Sequence, residues 1–130
     1  MDETFGKSER LCLKRRFEAL IAGGRSFFIY PFRVIYLEDQ LLPSDPPVQV
    51  GFTVKKKQFK RAVVRNLIKR RTRESWRMRK SSLYGLLREQ NKNLLILLVY
   101  GAETPLPFEE LDRKMGQVIK RLESEFSPAG

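Results

Sequence analysis

A chain of 130 residues with 42% apolar side chains can bury the core of one domain and is too apolar for a disordered protein. It has no histidine and a single cysteine, Cys12, which argues against an imidazole general base, an internal disulfide and a zinc site. The net charge of +11 is concentrated: residues 55–80 hold thirteen lysines and arginines against one acid, Glu74, and everything else sums to −1.

The opening "MDETFGKSER" is polar and acidic, without the basic start and apolar middle of a secretion signal. Residues 1–8 are expected to be a flexible lead-in to one domain over 9–125, with 126–130 a flexible tail. Ser8 can cap a helix that begins at Glu9, where a carboxylate suits the positive helix end. Leu13, Phe17, Leu20 and Ile21 recur at helical spacing, and Gly23-Gly24 provides a stop. "SFFIYPFRVIYLED" is aromatic and β-branched, hence extended, with Pro31 dividing two strands or marking an edge. "LLPSDPPVQ" is a proline-rich loop, and "VQVGFTV" resumes a strand that runs into the basic segment.

Beyond Lys80, "SSLYGLLREQNKN" fits a short helix or an ordered loop, and "LLILLVY" has the two-sided apolar pattern of a buried central strand. That run is too short to cross a bilayer, so a cytoplasmic protein without a membrane span is expected. "ETPLPFEELDRKMGQVIKRLESEF" closes the chain as a helix with an apolar stripe from Phe108 to Leu122. The order α-β-β-β-α-β-α predicts a single α+β domain with helices packed on a small mixed sheet.

Ala62 to Lys80, set on a helical wheel, places Arg65, Lys69, Arg73 and Arg77 in an i, i+4 row, with Asn66 and Arg70 beside it and Trp76 and Lys80 on the same arc. Val64, Leu67, Ile68 and Met78 fall opposite, as a docking stripe interrupted by Arg71 and Ser75. Like charges four apart repel by a few tenths of a kcal/mol, ~0.3, per pair, which phosphates alongside would reverse. A solvated helix face normally mixes signs, and a membrane-surface helix needs a broader apolar face. Nucleic acid is therefore the expected partner. Asn66, which both donates and accepts, suits a base edge, a ribose hydroxyl, a metal-bound water or a local cap. Trp76 suits either stacking on a base or packing on the domain.

At Ala62-Val63-Val64-Arg65-Asn66-Leu67-Ile68-Lys69-Arg70-Arg71-Thr72-Arg73-Glu74, continuing to Trp76 and Arg77, the sequence resembles the bacterial ribonuclease P protein subunit. The resemblance extends to "GKSERLCLKRRFEAL", "FRVIYL", "GFTVKKK" and "NLLILLVYGAETPLPFEEL". It implies a mixed four-stranded sheet, ribosomal-protein-like, with a left-handed β-α-β crossover that general handedness rules would not suggest. It also implies a ribonucleoprotein endoribonuclease whose catalytic groups lie in the RNA subunit. That RNA uses Mg2+ to remove the 5′ leader of precursor tRNA, and no protein partner is required.

By position, the resemblance places Arg65, Asn66, Lys69, Arg70, Arg73 and Arg77 against the catalytic RNA. Between strand and helix the family's usual glycine is missing and the chain is one residue longer, so Lys56, Lys57, Lys60 and Arg61 are assigned to RNA by charge. Phe17, Ile21, Val34 and Tyr36 match a leader cleft between the first helix and the sheet, although ordinary core is the alternative for Phe17 and Tyr36 and spacing alone favours it for Phe17. The rival readings are a ribosomal or other RNA-scaffold protein and a DNA-binding module with residues 62–80 in a major groove.

Overall fold

A computed structural model describes residues 14–39 and 46–126. Eight elements follow in order: α1 (Lys14–Gly23), β1 (Arg25–Ile29), β2 (Phe32–Glu38), β3 (Val48–Val54), α2 (Ala62–Arg79), α3 (Ser81–Glu89), β4 (Leu94–Tyr100) and α4 (Phe108–Phe126). The stretch left open between helix and loop is α3, so one more helix separates α2 from β4 than the predicted order contains. Ser8, Glu9, Cys12 and Leu13 lie outside the described residues, as do residues 127–130. Phe126, the last residue of the expected closing helix, is the last residue of α4, its ring edge-on to Tyr36 at 6.0 Å between centroids.

The four strands form one mixed sheet in the order β1-β2-β4-β3. The β1–β2 and β2–β4 pairs are antiparallel, whereas β3 and β4 run parallel and are joined through α2 and α3. The turn at Tyr30-Pro31 carries a cis peptide bond, and the Gly101 amide donates to the Pro31 carbonyl at 2.7 Å, fastening this turn to the end of β4.

Strand alternation gives the sheet two different faces. On one, Phe32, Val34, Tyr36, Val48, Val50, Ile96 and Leu98 are buried with Ile68, Trp76, Leu83, Leu87, Met115 and Leu122 of α2, α3 and α4. On the other, a smaller cluster joins Leu20 of α1 to Leu95 and Leu97, flanked by Ile35, Leu37 and Val99. Both faces of β4 are covered, which is why its sequence shows no polar alternation. Gly24 lets α1 close on β2, because a Cβ there would lie 2.5 Å from the Leu20 carbonyl oxygen and 3.0 Å from Ile35 Cγ2.

The helical layer is held by polar contacts as well as by burial. Arg71 Nη1 donates to the Leu106 carbonyl at 2.6 Å. The Tyr100 hydroxyl donates to the Thr104 carbonyl at 2.7 Å and accepts the Leu106 amide at 2.9 Å. These bonds fix the connection between β4 and α4 against the flank of α2.

Candidate nucleic-acid interface

α2 docks through Ile68, Thr72, Ser75 and Trp76, all buried. Of the expected stripe, Ile68 and its polar interruption Ser75 are buried and Val64 packs partly buried against the core, whereas Met78 is exposed and Thr72 and Trp76 join the docking arc instead. The wheel misjudged the arc because two of its four members are polar and are buried with partners. Thr72 Oγ1 bonds back to the Ile68 carbonyl at 2.8 Å, and Ser75 Oγ donates to Asp112 Oδ1 at 2.6 Å. Trp76 is fully buried, its Nε1–H donating to the Tyr84 hydroxyl at 3.2 Å, and Lys80 is buried with its Nζ 5.2 Å from the Tyr84 ring centroid, so both pack on the domain rather than sharing the basic arc.

This rotation decides which cations face outward. Asn66, Arg70 and Arg73 are exposed. Lys69 is half-buried at the edge of the face. Arg65 turns back on the preceding loop, donating from Nη1 to the carbonyls of Phe59 at 2.6 Å and Lys60 at 2.9 Å. Arg77 pairs with Glu74 through Nε–Oε1 at 2.9 Å and Nη2–Oε2 at 2.8 Å. The Arg77 guanidinium, by donating both bonds, holds the exposed Glu74 carboxyl below its ordinary range. The predicted row of four is thus one outward arginine, a lysine at the rim and two arginines already engaged within the protein.

The loop 55–61 completes the surface. Lys55, Lys56, Lys57, Lys60 and Arg61 are all exposed at the start of α2. A turn closed by the Gln58 and Phe59 amides on the Lys55 carbonyl, each at 3.1 Å, presents them. Phe59 anchors the turn: its ring is buried against Tyr100 at 6.0 Å between centroids. An apolar residue inside a cationic run is the sequence signal for this anchor. α2 has no acid in its first turn and Arg61 makes no capping bond, so the positive end of the helix reinforces the cationic loop.

The expected leader-cleft residues do not converge. Phe17 and Ile21 stand exposed on α1, at 41% and 54%. Val34 and Tyr36 point to the opposite face of the sheet and are buried beneath the α2–α4 layer. The Tyr36 hydroxyl donates to Glu125 Oε1 at 2.6 Å, and its pKa is pushed up by burial first and by Glu125 second. A strand reverses faces at every residue, so a one-position offset exchanges the two sides. The β2 residues on the α1 side are Arg33, Ile35 and Leu37. Beside α1, the sheet leaves half-buried Ile35, Val99 and Thr53 and exposed Arg33 as a floor that leads toward Lys55.

Comparison with known proteins agrees with this geometry. The family described as ribonuclease P matches residues 5–123. The "Ribonuclease P protein component" of Porphyromonas gingivalis is 34% identical over 124 residues, covering 92% of this chain and 88% of that protein. The protein of the same name from Petrotoga mobilis is 38% identical over 79 residues, covering 61% of this chain and 63% of its own length. Among solved structures, the RNase P protein of Staphylococcus aureus superposes with a TM-score of 0.70 at 20% identity, over 93% of this chain and all (100%) of that one. That of Thermotoga maritima gives 0.67 at 25% identity, over 87% and 96%. A cationic helix and loop mounted on this mixed sheet, with a family match over most of the sequence, establish that the chain belongs to the ribonuclease P protein family.

Proposed function

We propose that this ribonuclease P protein component binds the catalytic RNA subunit and the 5′ leader of precursor tRNA, and so promotes magnesium-dependent endonucleolytic removal of the leader. One observation carries the reading. Exposed Lys55–Lys57, Lys60 and Arg61 lead directly into α2, which exposes Asn66, Arg70 and Arg73, and the same loop leaves β3 two residues beyond Thr53 of the floor beside α1. A single surface can thus face the phosphates of the RNA subunit while an adjoining groove takes a single strand.

The protein's contribution is electrostatic and positional. Arginine forks onto phosphate oxygens, lysine adds mobile charge, and the combined effect over many contacts is large although each is modest. Phe17, Ile21 and Ile35 supply apolar walls to the groove in place of Val34 and Tyr36. Among the described residues no three acidic or thiol side chains cluster. The ion belongs with RNA phosphates in this reading. No protein side chain serves as nucleophile, acid or base.

Reconstitution tests the proposal. At low magnesium, precursor tRNA is cut only when the protein joins its cognate RNA subunit, and the protein raises affinity more for precursor than for mature tRNA. A protein that binds RNA without stimulating cleavage is a scaffold, and one that prefers duplex DNA is a DNA reader; either result overturns the proposal.

A further inference from the structure

Phe28 and Tyr30 are the most conspicuous exposed aromatics of the described residues, at 60% and 46% exposure. They form an edge-on pair, centroids 6.4 Å apart and planes at 67°, at the end of the β1–β2 hairpin. Their neighbours Phe27 and Ile29 pack into the larger core, so alternation turns Phe28 to the α1 side of the sheet. Directly across the ladder from Phe28 is Arg33, also exposed and on the same side.

The pair is held on a firm support. Gly101 donates to the Pro31 carbonyl at 2.7 Å, and a Cβ on Gly101 would sit 3.7 Å from Phe28 Cε1, so the ring rests beside bare backbone. Phe32 pairs with Tyr100 and Val54 pairs with Tyr100 on the other side, which puts this hairpin end at the same end of the sheet as the exit into Lys55–Lys57. Rigid rings with free faces, a cation across the ladder and a cationic loop at the same sheet end are what a single strand of nucleic acid needs for stacking and phosphate neutralisation. An apolar protein partner would not call for the cations.

We infer that Phe28 and Tyr30, with Arg33, form a base-stacking platform for a stretch of single-stranded RNA leader lying beyond the groove at α1. The inference rests on the leader-binding reading above and extends the path of the strand along the sheet to its β1 edge. Stacking tolerates any base, so the platform adds affinity for longer leaders without demanding a sequence.

The test uses the reconstituted holoenzyme and precursor tRNAs whose leaders are lengthened one nucleotide at a time, with 2-aminopurine at the newest position. With wild-type protein, affinity gains a further increment, and the fluorophore is quenched, once the leader reaches the platform. Phe28→Ala and Tyr30→Ala remove about ten-fold of affinity from those long leaders and abolish the quenching. Both leave short leaders unaffected, and Phe28→Trp restores both signals. Equal binding of long leaders by wild type and variants, or equal losses at every length, overturns the platform. So does a wild-type protein that self-associates through this edge and becomes monomeric on Phe28→Ala. A wild-type holoenzyme that does not distinguish precursor from mature tRNA instead overturns the leader reading itself.

Discussion

Arg79 and Asp112 tie the last turn of α2 to α4 through a two-pronged pair, Nε to Oδ1 at 2.9 Å and Nη2 to Oδ2 at 3.0 Å. Asp112 also accepts the hydroxyl of fully buried Ser75, and Gly116 leaves room for the guanidinium, since a Cβ there would lie 2.8 Å from Arg79 Nη1. One carboxylate therefore fixes the orientation of the basic helix on the domain.

The Arg79 hydrogen bond is the main reason the Asp112 carboxyl titrates below its ordinary value, with burial opposing it and Ser75 adding to it. The folded state then binds fewer protons at this site than the unfolded chain. The stabilisation is present above the unfolded carboxylate pKa of about 3.9 and is lost as pH falls through the lower folded value. Because the Arg79 side chain is 39% exposed, solvent screens the pair. Asp112→Asn is expected to cost about 1 kcal/mol at neutral pH. Urea midpoints of wild type and variant should converge in acid.

Arg73 and Arg65 should differ in kind. Arg73→Ala is expected to leave the thermal midpoint unchanged and to reduce the slope of log affinity for the RNA subunit against log salt by about one. Arg65→Ala strips two loop carbonyls of their donor and should lower both the midpoint and the affinity, with loop residues 55–61 gaining hydrogen exchange.

Trp76 is the chain's single tryptophan and is fully buried. Trp76→Ala should destabilise the fold by about 3–5 kcal/mol, as large-to-small core changes do. In the wild-type protein, tryptophan emission should shift to the red on urea unfolding and stay constant as RNA is added. Quenching by RNA would place the ring at the interface.

Glu74 is the one acid in the basic segment, and it restrains Arg77. Glu74→Gln releases that guanidinium and raises the charge of the helix by one. RNA affinity at low salt should rise several-fold, about three- to ten-fold, and the gain should fade as salt screens the surface. Since Arg77 holds the Glu74 pKa down, the wild-type pair persists through the ordinary glutamate range and opens only in more acidic solution.

Charge density and apolar period are properties of neighbouring residues, so the sequence by itself determined that 55–80 is a cationic helix with its leading loop, that Leu94–Tyr100 is a two-sided strand and that Phe108–Phe126 carries one apolar stripe. Facing is not local. Thr72 and Ser75 are buried because Ile68 O and Asp112 receive their hydroxyls, and Asp112 lies on a helix far along the chain. That contact rotates α2, hides Trp76 and turns Asn66, Arg70 and Arg73 outward. On β2, alternation separates Val34 and Tyr36 from Ile35, yet only the placement of α1 says which set lines a groove. Tertiary structure made both decisions, because each depends on what packs against the other side.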